Sequence, residues 1–358
     1  MEKHHYCTMI NFLLALFAVI IIAATLLPVL RKQDWWIRIF DFPRLHLAVL
    51  SALAAAGLLW AWDGPPLVGN ILLLLLLGCL AYHLLKILPY TPLFPTEVPA
   101  AADGTAAQEI RLLVSNVLMS NRCAEKLLAI VDEAGPDMIL ILEADSWWAE
   151  HLSPLEKRFA HTMTRPLDNT YGMLLYSRWA LENPRIRHLV NEGVPSFHAQ
   201  VRTDSEFRFD FRGVHPKPPR PNQDAQQRDA ELIQVGQEVQ KQKLPAIVAG
   251  DLNDVAWSHT TRLFQKASGL LDPRIGRGLY NTFHAQHPLL RWPLDHVFHS
   301  PHFSLKEIRL LPSFGSDHFP FFIVLQYDPD RMPAPPEPDG GERREIHEKQ
   351  ETDQGRTK

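Results

Sequence analysis

Three stretches near the N-terminus carry no formal charge, and they leave the first quarter of the chain few ways to fold. They run from Met9 to Leu30, from Leu45 to Trp62 and from Leu67 to Leu85. Each is close to the ~20 apolar residues that carry a helix across a bilayer. A helical hairpin in water would need polar faces, and nothing between residues 9 and 89 supplies them. A cleaved signal peptide is the other explanation of the first run, since Lys3 precedes it. The run is long for such a peptide, however, and no clear small-x-small cleavage site follows. Three transmembrane helices, at about 9–30, 45–62 and 67–85, are therefore expected within a membrane region of residues 1–89. Trp35, Trp36, Trp60 and Trp62 fall at the ends of the runs, where indoles favour the headgroup region, and Pro43, Pro65 and Pro66 mark the connections.

With three spans, the connection between the first two lies on the same side as everything after the third. That connection carries Arg31, Lys32, Arg38 and Arg44, against Lys3 before the first span and no Lys or Arg between the second and third. The positive-inside rule places the C-terminal part in the cytoplasm. Cys7 and Cys79 belong to the membrane region and Cys123 stands alone beyond it, so no disulfide framework is implied.

The net charge of −4 is distributed unevenly. Residues 328–358 hold nine acidic and six basic side chains, three of those four charges, and almost no apolar residue after Met332. The expectation is a disordered tail. The rest is nearly neutral, whereas a dedicated nucleic-acid binder shows a basic excess on its working domain. Residues 90–109, with Pro92, Pro95, Pro99 and Gly104, suit an extended linker. The folded domain is thus expected over 110–327.

Within it, short β-branched and aliphatic runs read as strands: Ile110–Asn116, Met138–Glu143, Gly172–Tyr176, Phe207–His215, Ala246–Asp251, Asp295–Phe298 and Phe321–Leu325. Helical spacing marks Ala124–Glu133 and Gln226–Gln242. Several strands follow one another directly, so a mixed α+β sandwich is expected rather than a doubly wound parallel sheet.

Polar residues gather where these strands end, which is how a shared cleft is built. Asn116 closes the first strand, Glu143 the second and His215 another. Singly, each suits a turn, a cap or a solvated strand end. Ala-Ile-Val-Ala-Gly250-Asp251-Leu252-Asn253 is more specific: a Gly-Asp turn with an Asx hydrogen bond explains it, and so does a ligand site, because alternation in an extended chain places Asp251 and Asn253 on one face. Asp295-His296 and Ser316-Asp317-His318-Phe319-Pro320 follow, the second just before an apolar strand. Chance does not readily produce Ser-Asp-His-x-Pro downstream of Gly-Asp-x-Asn.

In this order Asn116, Glu143, residues 172–178, His215, Gly250–Asn253, Asp295-His296 and Ser316–Pro320 resemble the successive motifs of the endonuclease/exonuclease/phosphatase superfamily, over about Ile110 to Gln326. The resemblance implies a four-layer α/β/β/α sandwich of two mixed sheets with the site at one end of the sheets. It implies a divalent cation, Mg²⁺ or Mn²⁺, on Glu143, with Asn116 and Asp317 near the metal or the scissile phosphate; such oxygen donors suit a hard ion. Asp251 would orient or deprotonate the attacking water and Asn253 would donate to a phosphoryl oxygen. His318, held by Asp295, would polarise or protonate at phosphorus, and His215 would contact another phosphate oxygen. Leu142 stands where many members have Gln, and Asp145 is a further carboxylate that either supplements the site or faces solvent. The resemblance also suggests a multi-pass protein of the bacterial inner-membrane type, although some membrane relatives face outward.

The expected function is a metal-dependent phosphoesterase cleaving a monoester or diester, with the anchor favouring a membrane-associated lipid phosphate. Nuclease activity is the alternative enzyme, supported by Lys217, Arg220 and Arg228. A catalytically silent scaffold is the other alternative, opposed by the completeness of the polar set. Residues 183–196 and 257–291 show no motif that names a substrate, and nothing in the sequence gives the oligomeric state.

Overall fold

The computed structural model describes residues 2–102, 108–221 and 223–354. Residues 103–107 of the expected linker and 355–358 of the expected tail lie outside them. The chain divides into two units, Met1–Phe94 with Pro219–Ala225, and Pro95–Pro218 with Gln226–Lys358.

The first unit contains helix α1 (Glu2–Leu26), the single turn α2 (Trp35–Arg38), α3 (Arg44–Ala61) and α4 (Pro66–Ile87). Three segments, Thr8–Leu30, Arg44–Ala61 and Pro66–Tyr90, are helical, long and apolar enough to cross a membrane. They pack through Ala18, Ile21, Ala54, Ala55, Leu58, Leu72 and Leu76, where small residues let the helix backbones approach. Leu59, Trp60, Leu67 and Leu74 point outward and exposed, an apolar exterior suited to lipid. Between α1 and α3, Arg38 and Arg44 both pair with Asp41, at 3.0 and 2.5 Å, and all three are buried. One carboxylate between two guanidinium groups offsets one of the four positive charges behind the charge-based orientation and leaves the trio at +1. The Ala225 N–H donates to the Gln33 carbonyl at 2.8 Å within this unit.

The second unit begins earlier than expected. Val98 is buried in its core, Pro99 and Ala101 exchange backbone hydrogen bonds with Leu305, and the Glu97 carboxylate accepts from the Asp272 N–H and from Gln265, both at 2.7 Å. The Pro- and Ala-rich composition of 95–101 matched an extended linker because these residues are extended, but laid along the rim of a sheet. The elements that follow are β1 (Glu109–Asn116), α5 (Ala124–Ala134), β2 (Met138–Leu142), α6 (Ser146–His151), β3 (His161–Arg165), β4 (Met173–Ser177), β5 (Ala180–Arg187), β6 (Ser196–Arg202), β7 (Arg208–Gly213), α7 (Gln226–Gln240), β8 (Ala246–Asp251), α8 (His259–Ser268), β9 (Asp295–His299), β10 (Phe303–Leu310), β11 (Phe321–Tyr327) and α9 (Gly340–Gln354).

One sheet has six strands in the order β10-β11-β1-β2-β4-β3, the other five in the order β5-β6-β7-β8-β9. β1/β2 and β7/β8 pair in parallel and the remaining neighbours antiparallel, so both sheets are mixed. Alternation along the strands divides the side chains. Leu112, Val114, Leu140, Met173, Phe211, Ile247, Val297 and Phe321 meet between the sheets. Leu113, Ile139 and Ile141 turn the other way onto Leu127, Val131 and Trp148 of α5 and α6. Val248 and Phe298 meet Leu232, Val235 and Phe264 of α7 and α8. The result is the expected four-layer α/β/β/α sandwich.

The tail corrects the expectation of disorder over its described part. Asp339 and Glu342 form a reciprocal capping box, the Asp339 carboxylate accepting from the Glu342 N–H and the Glu342 carboxylate from the Asp339 N–H, each at 2.9 Å. The helix it starts, α9, buries Ile346 against Ile233, Leu263 and Ala267. It also pairs Glu342 with Lys266, Glu345 with His259 and Lys349 with Asp229. One apolar side chain, two ion pairs and the His259–Glu345 hydrogen bond dock it, which a hydrophobicity argument does not detect.

Candidate active site

The polar cluster forms along one edge of the two sheets. Asn116, Glu143 and Asp251 sit at the C-terminal ends of β1, β2 and β8, as expected. Asp295 and His318 sit instead at the start of β9 and just before β11. These strands run antiparallel to β8 and β1, with Asp251 facing Asp295 and Val114 facing Phe321, so their beginnings meet the other strands' ends.

The backbone is shaped for this. Gly250 has φ 146°, and a Cβ there would lie 1.8 Å from the Val214 carbonyl oxygen, so no other residue fits without moving the strands. A Cβ on Gly172 would lie 1.9 Å from the Ala144 oxygen, beside Glu143. Glu143 and Asn253 adopt left-handed φ of 60° and 51°, conformations that non-glycine residues mostly keep at functional sites. Asn253 has therefore left the strand, and alternation does not aim it. An Asx turn does: its N–H donates to Asp251 Oδ1 at 2.8 Å, and its Nδ2 donates to the Pro216 oxygen at 3.0 Å. The Gly-Asp-Leu-Asn motif is thus the Asx turn, and the extended alternation expected to put Asp251 and Asn253 on one face does not hold.

Asn116 Nδ2 donates to Glu143 Oε1 at 2.9 Å and to Asp251 Oδ2 at 3.1 Å, while its Oδ1 accepts the Leu118 N–H. One amide thereby holds two carboxylates together and its oxygen is engaged elsewhere. His318 Nδ1 donates to Asp295 Oδ2 at 2.7 Å, which leaves Nε2 toward Asp251 Oδ2 at 3.7 Å. His215 Nε2 lies 3.9 Å from the same oxygen, and its ring packs against Tyr171. Ser316 Oγ donates to the Asn116 carbonyl at 2.7 Å and accepts the His318 N–H, fixing the second motif to the end of β1. Asp317 is half-buried, and its charge is felt by both Glu143 and His318.

Burial dominates the electrostatics. It raises the Glu143 carboxyl, with Asp317 adding to the effect. It pushes Asp251 up to about 7, helped by the charges of Asp295 and Glu143 and opposed by His318. Burial alone would lower His318, but the charge and hydrogen bond of Asp295, then the charges of Asp251 and Asp317, carry it up to about 10. Asp295 goes below its usual range because His318 outweighs its own burial.

Several side chains singled out in the sequence lie elsewhere. Asp145 neither supplements the site nor faces solvent: it caps α6 through the Trp148 N–H and grips Arg122 with both oxygens, at 3.0 and 2.6 Å. Arg228 is buried, donates to the Asn253 carbonyl at 2.8 Å and pairs with Asp229 and Asp254, so it braces the turn and is unavailable to a ligand. Arg220 groups with the first unit, whereas Lys217 lies over the Tyr171 ring, 5.9 Å from its centroid. Sequence reasoning missed Thr282, whose hydroxyl oxygen accepts the Leu294 and Asp295 N–H groups at 3.3 and 3.1 Å, and Phe283, whose ring lies against His318. Neither belongs to a recognisable motif.

Four carboxyl groups, Glu143, Asp251, Asp295 and Asp317, gather with two imidazoles, His318 and His215. That negative excess, with Glu143 and Asp251 only one amide apart, fits a hard divalent cation bound through oxygens. Among the described residues, Asp251, Asp295 and His318 also have potential ligand atoms within 4.8 Å of one another. His318 spends Nδ1 on Asp295, so the hard oxygen donors left to the cluster are the carboxylates of Glu143, Asp251 and Asp317.

A family model described as Endonuclease/Exonuclease/phosphatase family matches residues 113–318. No curated protein matches the chain. Among solved structures, a humanised D. rerio TDP2 aligns with TM-score 0.53 and 16% identity, over 61% of this chain and 99% of its own. The catalytic domain of human Nocturnin aligns with TM-score 0.50 and 18% identity, over 61% and 94%. An endonuclease/exonuclease/phosphatase from Bacteroides vulgatus aligns with TM-score 0.51 and 14% identity, over 62% and 100%. At these identities the structures share the fold.

Proposed function

The chain belongs to the Endonuclease/Exonuclease/phosphatase family, a family of divalent-metal-dependent phosphoric-ester hydrolases, and from that membership we propose a membrane-anchored phosphoesterase acting on a phosphate ester carried at the bilayer surface. The observation that supports hydrolysis most directly is the pair formed by the Asp295–His318 bond and the Asp251 carboxylate facing it at 3.7 Å. The phosphoryl group would dock in front of both, facing the two side chains together. Asp295 fixes the tautomer and charge of His318, so its Nε2–H donates to a nonbridging oxygen as charge develops there. Asp251, held by Asn116 and by the Asn253 N–H, orients the attacking water and accepts its proton. Asn253 Nδ2 has one hydrogen beyond the one given to Pro216 for a phosphoryl oxygen, and His215 reaches another. Glu143 and Asp317 would hold the divalent cation, Mg²⁺ or Mn²⁺, which supplies positive charge to the phosphate oxygens.

The bilayer enters through three observations. Three helices are long and apolar enough to span it. Residues 88–94, which follow α4 and precede the second unit, extend to no more than about 25 Å. The first connection carries Arg31, Lys32, Arg38 and Arg44 against Asp34 and Asp41, a basic excess that favours the cytoplasmic face. A lipid phosphate is the substrate class that such a tether keeps within reach.

The test is hydrolysis by the full chain in vesicles, with Mg²⁺, offered a lipid phosphomonoester, a lipid phosphodiester or single-stranded DNA. Preference for a lipid supports the proposal. Preference for DNA, with binding that weakens steeply as salt rises, replaces it with a nuclease.

A further inference from the structure

Outside the active site, the outer face of β5–β7 and the C-terminal end of α7 line an open concavity of about 350 Å³. Arg212 is its buried floor, pairing with Asp210 at 2.7 Å and Glu238 at 2.9 Å and donating to His198 Nδ1 at 2.7 Å. Arg187 shares the same Glu238 carboxylate at 2.5 Å. These contacts use both carboxylates of the lining. Two further cations, Arg185 and Lys241, line the cavity and have no carboxylate partner among the described residues. Four cations against two anions leave an excess of two positive charges around one concavity, to which Gln200 and Gln242 add amide donors.

The backbone points the same way. β5 is an edge strand, and its register with β6 shifts between Glu182 and Arg185, with Asn183 at φ 49° followed by Pro184. A bulge of this kind blunts an edge and re-aims the side chain that follows it. Here that side chain is Arg185, one of the two cations without a carboxylate. His198 is buried with its Nδ1 accepting from Arg212 and its Nε2 against Ser196 Oγ, so it adds no competing charge.

We propose that this cavity is a second anion site, taking a phosphate group, either free or as the headgroup of an anionic lipid, through Arg185, Lys241 and the exposed side of Arg187. Paired guanidinium and ammonium donors match a dianionic phosphate. The site goes beyond hydrolysis: it would hold a phosphate without cleaving it, since no carboxylate there is free to position water.

The full chain in detergent, at low salt and with EDTA present, is titrated calorimetrically with inorganic phosphate and, separately, with short-chain phosphatidic acid. Wild type is expected to bind at least one of them, and the double variant Arg185→Ala/Lys241→Ala at least tenfold more weakly. Hydrolysis of a soluble phosphodiester with Mg²⁺ should stay within twofold. Binding of phosphatidic acid alone assigns the site to a lipid headgroup, and comparable binding of both assigns it to the phosphate group itself. Unchanged affinity in the double variant, no binding by wild type, or a parallel loss of hydrolysis would each overturn the proposal.

Discussion

Gly250→Ala tests how the fold sets the catalytic spacing. An added Cβ would lie 1.8 Å from the Val214 oxygen, whereas real Cβ contacts are not closer than 3.0 Å, so the two backbones must part by about 1.2 Å. Gly250 precedes Asp251 and Val214 precedes His215, so the separation falls directly on the 3.9 Å gap between their functional atoms. A misplacement of about 1 Å costs on the order of 10²-fold in rate, and kcat should fall by about that factor. The substitution also forces a side chain onto φ 146°. Strain of this kind lowers stability by about 1–3 kcal/mol, partly offset by about 0.4–1 kcal/mol from the stiffer unfolded chain. Initial rates on a chromogenic phosphodiester, with urea unfolding on the same preparations, separate the two effects. A folded Gly250→Ala protein with wild-type kcat would refute the argument that this glycine sets the site.

Other perturbations read different links. Asp295→Asn should lower kcat by about 10²–10⁴-fold with little change in KM, and His318 should lose its proton at lower pH, followed by NMR of the imidazole. Burial pushes Glu97 up to about 7; a carboxyl raised on folding contributes stability that is full below its unfolded pKa and lost as pH rises toward 7. Glu97→Gln should therefore gain stability relative to wild type between pH 4.5 and 7, by up to about 3 kcal/mol, measured by urea unfolding at a series of pH values. Lys349→Met removes one partner of the largely buried pair with Asp229, whose carboxylate keeps Arg228 and Thr260, and should cost about 1–3 kcal/mol with little change in kcat, whereas Arg228→Met frees the Asn253 carbonyl and should lower kcat at least tenfold; equal effects of the two on activity would contradict the bracing role of Arg228.

Much of this was legible from residue patterns, for physical reasons. Strands buried on both faces, such as β2 with Met138–Leu142 wholly buried, read as unbroken apolar runs. The unread strands β3, β5 and β10 are sheet edges, which carry charge and, in β5, Pro184, the devices that keep edges from pairing. β6 was readable in principle, since Phe197, Ala199 and Val201 alternate with His198, Gln200 and Arg202. α9 announced itself through Asp339-Gly-Gly-Glu342, a capping box overlooked amid polar composition. In the site, Asn116, Glu143, Asp251, Asp295 and His318 come together because their motifs flank strands. Thr282 and Arg228 act through backbone atoms of those motifs, and such a role leaves no pattern in a single sequence.

The central claim is that these side chains hydrolyse a phosphate ester with a divalent cation. It is tested most directly by rates of the full chain on a chromogenic phosphodiester, in Mg²⁺, after chelation, and in Glu143→Gln and His318→Ala. Chelation should abolish the activity and Mg²⁺ or Mn²⁺ restore it, with both variants folded and at least about 10²-fold slower. Hydrolysis that survives chelation, or that persists at the wild-type rate in either variant, would contradict it.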